Sequence, residues 1–268
     1  MDKQAQIGIF GGSGFYELLE NAKEIEMKTE FGLPSAKVRL GEIAGKKVAF
    51  IPRHGDKHTI PPHKINYKAN IEAFKMLGVE RIISPCAAGS LQAWIKPGDF
   101  VVLDQFVDRT RGRDDTFYHG QDGKVIHIGG ADPYCPDMAP AVIKACQSLE
   151  VKVHDKGTIV IINGPRFSTR AESRWFSSQG WEVIGMTQYP EAILAREKEI
   201  CYCGIALITD FDAGLEGMQD IYPVSFDEVL RVFKENNEKI KKVIFEIIKN
   251  LPNERGCPCG ESLKNATL

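Results

Sequence analysis

No stretch of this sequence approaches the ~18–20 apolar residues that a membrane-spanning helix needs. The apolar run in the N-terminal MDKQAQIGIF is too short for a secretory signal and carries no cleavage pattern. No membrane partner is expected. Low-complexity tracts, internal repeats, composition shifts and Pro/Gly/Ser linkers are all missing, so a single domain is expected over residues 1–268. A charge imbalance is missing too. The 34 Lys and Arg against 36 Asp and Glu leave a net charge of −2, which gives no electrostatic footprint for nucleic acid or an anionic membrane. A small anionic substrate stays open, because it needs only a local pocket. Seven cysteines, an odd number in a fairly long chain, argue against a secreted disulfide scaffold and make the cytoplasm the expected location.

What is present is ordinary globular composition, 43% hydrophobic and 26% charged. Short apolar runs end in Gly or polar turns at Ile7–Phe10, Lys47–Ile51, Arg81–Ser84, Phe100–Leu103, Thr158–Ile162, Glu182–Gly185 and Ile205–Thr209. Helical periodicity occupies Tyr67–Leu77, Pro140–Leu149 and Phe226–Leu251. Ser225 and Glu228 suit a capping box at the start of that last helix, and Pro252 lies just past its end. A cysteine-containing tail follows over 252–268. Strands alternating with helices predict an α/β fold with a central mixed β-sheet flanked by helices.

In open α/β sheets, functional residues gather where strands end. Five clusters occupy such positions. Gly11-Gly12-Ser13-Gly14 offers backbone N–H groups and a hydroxyl to an anion, and equally fits a tight turn. It matches neither a G-x-G-x-x-G fingerprint nor a G-x-x-x-x-G-K-[ST] loop. Arg53-His54-Gly55, with His58 and His63 close behind, suits phosphate or carboxylate recognition, and as a segment it also fits a solvated basic loop. Cys86-Ala87-Ala88-Gly89-Ser90 can present bare backbone to a ligand or to a packed helix. Asn163-Gly164-Pro165-Arg166-Phe167-Ser168 supplies an aromatic face that suits either a flat base or the core. The fifth cluster pairs Met186-Thr187-Gln188 with Asp210-Phe211-Asp212. In an extended chain the two carboxylates point the same way, and two like charges that close raise one pKa. The same residues fit an Asx-rich turn.

Taken together, IGIFGGSG, PRHG with PPHKINYKANI, AAGSL, GPRFSTRAES, GMTQYPE and TDFD resemble the trimeric purine nucleoside phosphorylase family, in its S-methyl-5'-thioadenosine phosphorylase branch. The resemblance runs from about Ile7 to Leu251, with GPRFSTRAES and the PRHG…NYKANI block as its specific parts. It implies a homotrimer, phosphorolysis of a glycosidic bond, inorganic phosphate as co-substrate, and neither metal nor cofactor. Carried over by position, phosphate would meet Ser13, Arg53, His54, the backbone of Ala87, and Thr187. The ribose would lie against Met186. The base would meet Phe167, Ser168, Asp210 and Asp212, and the 5' substituent would meet Phe226 and Leu230. His127 would reach in from a neighbouring subunit. These roles agree with the chemistry of the residue types. Phosphate is held near C1' by position and charge, and a proton-sharing Asp210 can serve the departing purine at N7.

Within the family a carboxylate at position 210 goes with 6-aminopurines, and Ser168 points the same way. Apolar Phe226 and Leu230 suit a methylthio group better than a hydroxyl. 5'-Methylthioadenosine is the expected substrate, giving adenine and 5-methylthioribose 1-phosphate. Inosine, guanosine or methylthioinosine form the second expectation. A nucleoside hydrolase and a non-catalytic nucleoside sensor are the rivals from other classes. The pairs Cys201/Cys203 and Cys257/Cys259 can be read together as a four-thiolate zinc site or separately as buried thiols. The resemblance adds a third possibility, because some heat-adapted relatives close a tail C-x-C as a disulfide.

Overall fold

The computed structural model describes residues 4–11, 19, 22–120, 123, 125–215, 217, 221, 226–264 and 266. The side chains at 226, 228–230, 233, 235 and 236 lie outside the described set. The chain opens with β1 (Ile7–Gly11), β2 (Lys23–Ile25), β3 (Val38–Ile43) and β4 (Lys46–Pro52), followed by α1 (Tyr67–Met76) and β5 (Arg81–Ser90). Next come β6 (Phe100–Val102), β7 (Gln105–Arg109), α2 (Ala139–Ser148), β8 (Val153–His154) and β9 (Thr158–Ile162). The last third holds α3 (Arg170–Ser178), β10 (Val183–Gly185), α4 (Gln188–Glu197), β11 (Cys201–Phe211) and α5 (Phe226–Asn250). Among the described residues all eleven strands join one mixed sheet, in the order β2-β3-β4-β1-β5-β10-β9-β7, with β11 against the other edge of β5 and β6 and β8 beyond it. The expected α/β architecture is therefore present as one domain.

Helices cover both faces of this sheet, so the central strands are buried on both sides and read as continuous apolar runs. β11 shows the alternation. Cys201, Cys203, Ile205 and Leu207 pack with Val142 and Cys146 of α2 and with Ile240, Val243, Ile244 and Ile247 of α5. Tyr202, Ala206 and Ile208 pack with Ile71 and Phe74 of α1 and with Ala192, Leu194 and Ala195 of α4. A third, smaller core under α3 joins Phe176 to Leu91, Val160 and Ile184.

All seven apolar runs become strands, and the three periodic stretches become α1, α2 and α5 to within a residue or two. Two strands outrun their expected lengths. β5 continues through Ser90, taking in Cys86-Ala87-Ala88-Gly89-Ser90, so this cluster lies within the strand and not after it. β11 begins at Cys201 and includes Asp210. Four strands and two helices had no counterpart in the apolar pattern, for physical reasons. β2 and β3 form an antiparallel border with half-exposed side chains. β7 ends exposed and β8 has only two residues. α3 buries only Ser173 and Phe176. α4 carries Pro190 in its first turn, with the preceding Tyr189 held at non-helical φ/ψ (−114°, 134°). Ser225, expected to cap α5, lies outside the described residues.

Glycine makes one of the closest contacts between sheet and helix. A Cβ at Gly8 of β1 would stand 2.9 Å from the Phe74 ring, and that ring, fully buried, lies 4.8 Å from Phe10. Phe74→Ala should therefore cost about 3–5 kcal/mol of folding stability, because a fully packed aromatic leaves a cavity that the sheet cannot collapse into. Urea unfolding measures this, and a loss under about 1 kcal/mol would contradict tight packing here.

Candidate active site

The central strand β5 changes partners along one edge. Ile7–Ile9 of β1 pair with Arg81–Ile83, and on the same edge β10 takes over at Gly89 and Ser90, running antiparallel. Between those pairings the backbone of Ser84–Ala88 faces neither strand. A cleft forms at such a switch point for topological reasons. Here it is a cavity of about 590 Å³, lined by residues from four of the five clusters, and that volume suits a small-molecule site.

Arg53 enters at the end of β4 and is buried to 2% exposure. Its guanidinium forks onto Glu191 of α4, Nε to Oε1 at 2.8 Å and Nη2 to Oε2 at 3.0 Å. Nη2 also donates to Ser84 Oγ (2.6 Å) and Nη1 to the Pro85 carbonyl (3.0 Å). The Tyr202 hydroxyl of β11 donates to Glu191 Oε2 at 2.7 Å. Burial works against the charge on Arg53, but the Glu191 carboxylate and its hydrogen bonds outweigh that and raise the pKa. The fork expected to face phosphate is thus engaged by Glu191. Among the described residues, four of the five guanidinium N–H groups are taken in these bonds, which leaves one on Nη1 for a ligand. Glu191, Ser84 and Tyr202 had not been singled out from sequence. A buried arginine demands a carboxylate, but nothing in local spacing identifies one 138 residues away.

The neighbouring anion-site candidates are largely neutral. His54 Nδ1 donates to the Ile60 carbonyl at 2.9 Å. Burial, aided by Arg53 and His58, pushes its pKa down to about 4 against that hydrogen bond. Cys86 beside it is a neutral thiol, pushed up to about 12 by burial. Thr187 directly precedes α4 and its side chain makes no cap hydrogen bond, so its hydroxyl is available to a ligand. Ala87, the exposed residue of β5, lines the same wall.

At the opposite wall, β11 carries a bulge. Ile208 pairs with Ala88 and Asp210 with Gly89, which leaves Thr209 as the extra residue. The bulge re-aims the end of the strand, and Asp210 and Asp212 both line the cavity, 7% and 3% exposed. Thr209 Oγ1 donates to Asp210 Oδ1 at 2.6 Å. A Cβ on Gly89 would stand 3.1 Å from Asp210 Oδ2, so any side chain there would push the carboxylate from its place by a few tenths of an ångström. Asp212 accepts from the Ser168 hydroxyl (2.7 and 2.5 Å), from Ser173 and from the Ala213 N–H. Burial raises its pKa against these hydrogen bonds, and Glu172 is the like charge that adds to the push. The expected cause, a neighbouring Asp, gives way to desolvation. Ser168 spends its proton on Asp212, so only its oxygen remains free to accept from a base.

Met186 and Phe167 complete the lining, and Phe167 is 41% exposed, an open apolar ring. Gly164 has φ +63°, a left-handed conformation that favours glycine, and a Cβ there would stand 2.5 Å from Met186 Sδ, so the methionine end would have to move. Arg113 binds the Met186 carbonyl (2.7 Å), the Asn163 carbonyl (3.1 Å) and the Tyr189 carbonyl, clamping the ends of β9, β10 and α4. It too went unnoticed in the sequence, since a lone arginine in a loop carries no pattern. Four other candidates are not part of this lining as described. Ser13 and the side chains of Phe226 and Leu230 lie outside the described residues. His127 is exposed and its backbone N–H donates to Ala266 O at 2.8 Å, away from the cavity.

The state of His54 can be tested by its linkage to folding. A folded pKa of about 4 against 6.5 means that the neutral ring is favoured, so its contribution to stability is complete above about pH 6.5 and is lost as pH falls toward 4. The stability gap between the native chain and His54→Gln should shrink steadily across that window in thermal scans without phosphate. A gap independent of pH would contradict a buried neutral imidazole.

Comparison with known proteins agrees with this geometry. The phosphorylase superfamily model matches residues 6–249. S-methyl-5'-thioadenosine phosphorylase of Thermofilum pendens is 50% identical over 99% of this chain and 100% of its own. Purine nucleoside phosphorylase of Streptomyces coelicolor is 48% identical over 97% of this chain and 95% of its own. Among solved structures, a methylthioadenosine phosphorylase from an Antarctic soil metagenomic library superposes with a TM-score of 0.91, at 40% identity, over 99% of this chain and 93% of its own. The chain belongs to the phosphorylase superfamily, among the purine nucleoside and methylthioadenosine phosphorylases, and is a pentosyltransferase.

Proposed function

We propose that the protein cleaves the glycosidic bond of 5'-methylthioadenosine with inorganic phosphate, giving adenine and 5-methylthioribose 1-phosphate. The observation that carries this reading is the buried carboxylate of Asp210 on the cavity wall, fixed by the Thr209 hydroxyl and by the bulge in β11. A carboxylate there accepts from a 6-amino group while serving N7, and Phe167 offers a face for the purine ring. Asp212, held by Ser168, backs the same wall.

On this reading phosphate lies against Ser13, Arg53, His54, the Ala87 backbone and Thr187, with the ribose over Met186. The single spare Nη1–H of Arg53, the Thr187 hydroxyl and the open β5 backbone hold phosphate by direction more than by net charge, since Glu191 already neutralises Arg53. As the bond to the base lengthens, positive charge grows on the ribose and the phosphate beneath it stabilises that charge. Negative charge grows on the purine, and a proton shared through Asp210 relieves it, an effect typically worth ~10²–10⁴-fold. Phe226 and Leu230 are assigned to the methylthio group. His127 is assigned to a neighbouring subunit's site, which makes a homotrimer part of the proposal. No cofactor takes part.

A second reading is phosphorolysis of 6-oxopurine nucleosides, favoured by the 47% identity to a relative from Dictyoglomus turgidum named a probable 6-oxopurine nucleoside phosphorylase. The two part at Asp210. In Asp210→Asn, kcat/KM for methylthioadenosine should fall by on the order of 10²-fold or more. The ratio of inosine to methylthioadenosine kcat/KM should rise by at least about tenfold, or ~1.4 kcal/mol. An unchanged ratio would remove the base-reading role.

A further inference from the structure

Four thiols meet at the end of β11 farthest from the cavity. Cys201 opens the strand, Cys135 precedes α2, and Cys257 and Cys259 lie on the segment after α5. Their Sγ atoms are all within 4.8 Å of one another, with Cys201 and Cys257 at 3.2 Å. Three are buried and Cys257 is half-buried. Cys203, two residues along the strand, is not among them. It faces Cys146 of α2, so Cys135 takes the place that the sequence pairing gave to Cys203.

We propose that Cys135, Cys201, Cys257 and Cys259 form a tetrathiolate site for one zinc ion, which fastens the C-terminal segment to the start of β11. A tetrahedron with Zn–S bonds of about 2.3 Å has sulfur–sulfur edges of about 3.8 Å, and the observed separations bracket that value. Four sulfurs this close surround one ion and leave no room for a cluster of several irons. An all-thiolate set selects zinc over hard cations. The surroundings suit the double negative charge of a zinc tetrathiolate. The Arg255 guanidinium lies near Cys201, and the Cys259 backbone N–H near Cys257. Groups of this kind offset the charge of the ligands. With four protein ligands the site is closed and its role is structural. It lies on the order of 30 Å from Asp210 along β11.

The full chain, purified under reductant and stripped with chelator, is loaded with zinc or cobalt(II). It should retain one zinc per chain by mass spectrometry of the metal. The cobalt form should show near-ultraviolet thiolate charge transfer and the intense visible bands of a tetrahedral site. Cys259→Ser should abolish those bands and Cys203→Ser should keep them. If Cys259→Ser fails to fold, the unaltered chain's stoichiometry and cobalt spectrum decide alone. Retention of no metal, cobalt bands that survive Cys259→Ser, or recovery of these cysteines as disulfides would each overturn the proposal.

Discussion

The buried ion pair of Arg53 and Glu191 is the joint at which the sheet, the helices and the cavity meet. Arg53 directly follows β4, Ser84 and Pro85 belong to β5, Glu191 to α4 and Tyr202 to β11, and all five residues share one hydrogen-bonded network. Charges taken out of water persist only with such complete pairing, and removing one partner of a buried pair typically costs about 3–5 kcal/mol. The network therefore fixes where β4, β5 and α4 stand relative to one another, and with them the walls of the cavity. It has a further consequence for binding. Because Glu191 neutralises Arg53 and His54 is neutral, the proposed phosphate site depends on oriented N–H and O–H groups. Such groups are already in place before the anion arrives.

The opposite wall depends on irregularity. Thr209 is one residue too many for the β5–β11 ladder, and the bulge turns Asp210 toward the cavity. Gly89 then clears the space that the carboxylate fills, and Gly164 does the same for Met186. Strand regularity and helix packing build the scaffold. The points where those rules are broken, a bulge, a bare strand position and a left-handed glycine, build the site.

Much of this was legible in the sequence. Apolar runs located the central strands because burial on both faces leaves no polar alternation to confuse them, and α1, α2 and α5 showed their periodicity plainly. The border strands β2 and β3 and the weakly buried α3 left no such trace. Of the candidate residues, Arg53, His54, Ala87, Phe167, Ser168, Met186, Thr187, Asp210 and Asp212 share one cavity. Their common position at strand ends is a local signal, readable along the chain. Glu191 and Arg113 act through partners 50 to 138 residues away, and Tyr202 joins Ser84, 118 residues away, to Glu191; a single sequence carries no record of such pairings. The cysteines illustrate the same limit, since alternation along β11 kept Cys201 with Cys203 on one face while only the fold brings Cys135 to the tail.

The most direct measurement is product analysis with methylthioadenosine, adenosine, inosine and guanosine assayed in parallel, with and without phosphate. Phosphorolysis of methylthioadenosine predicts strictly phosphate-dependent release of adenine and 5-methylthioribose 1-phosphate, with the highest kcat/KM for methylthioadenosine. Turnover that persists without phosphate, or a higher kcat/KM for inosine or guanosine, would contradict it.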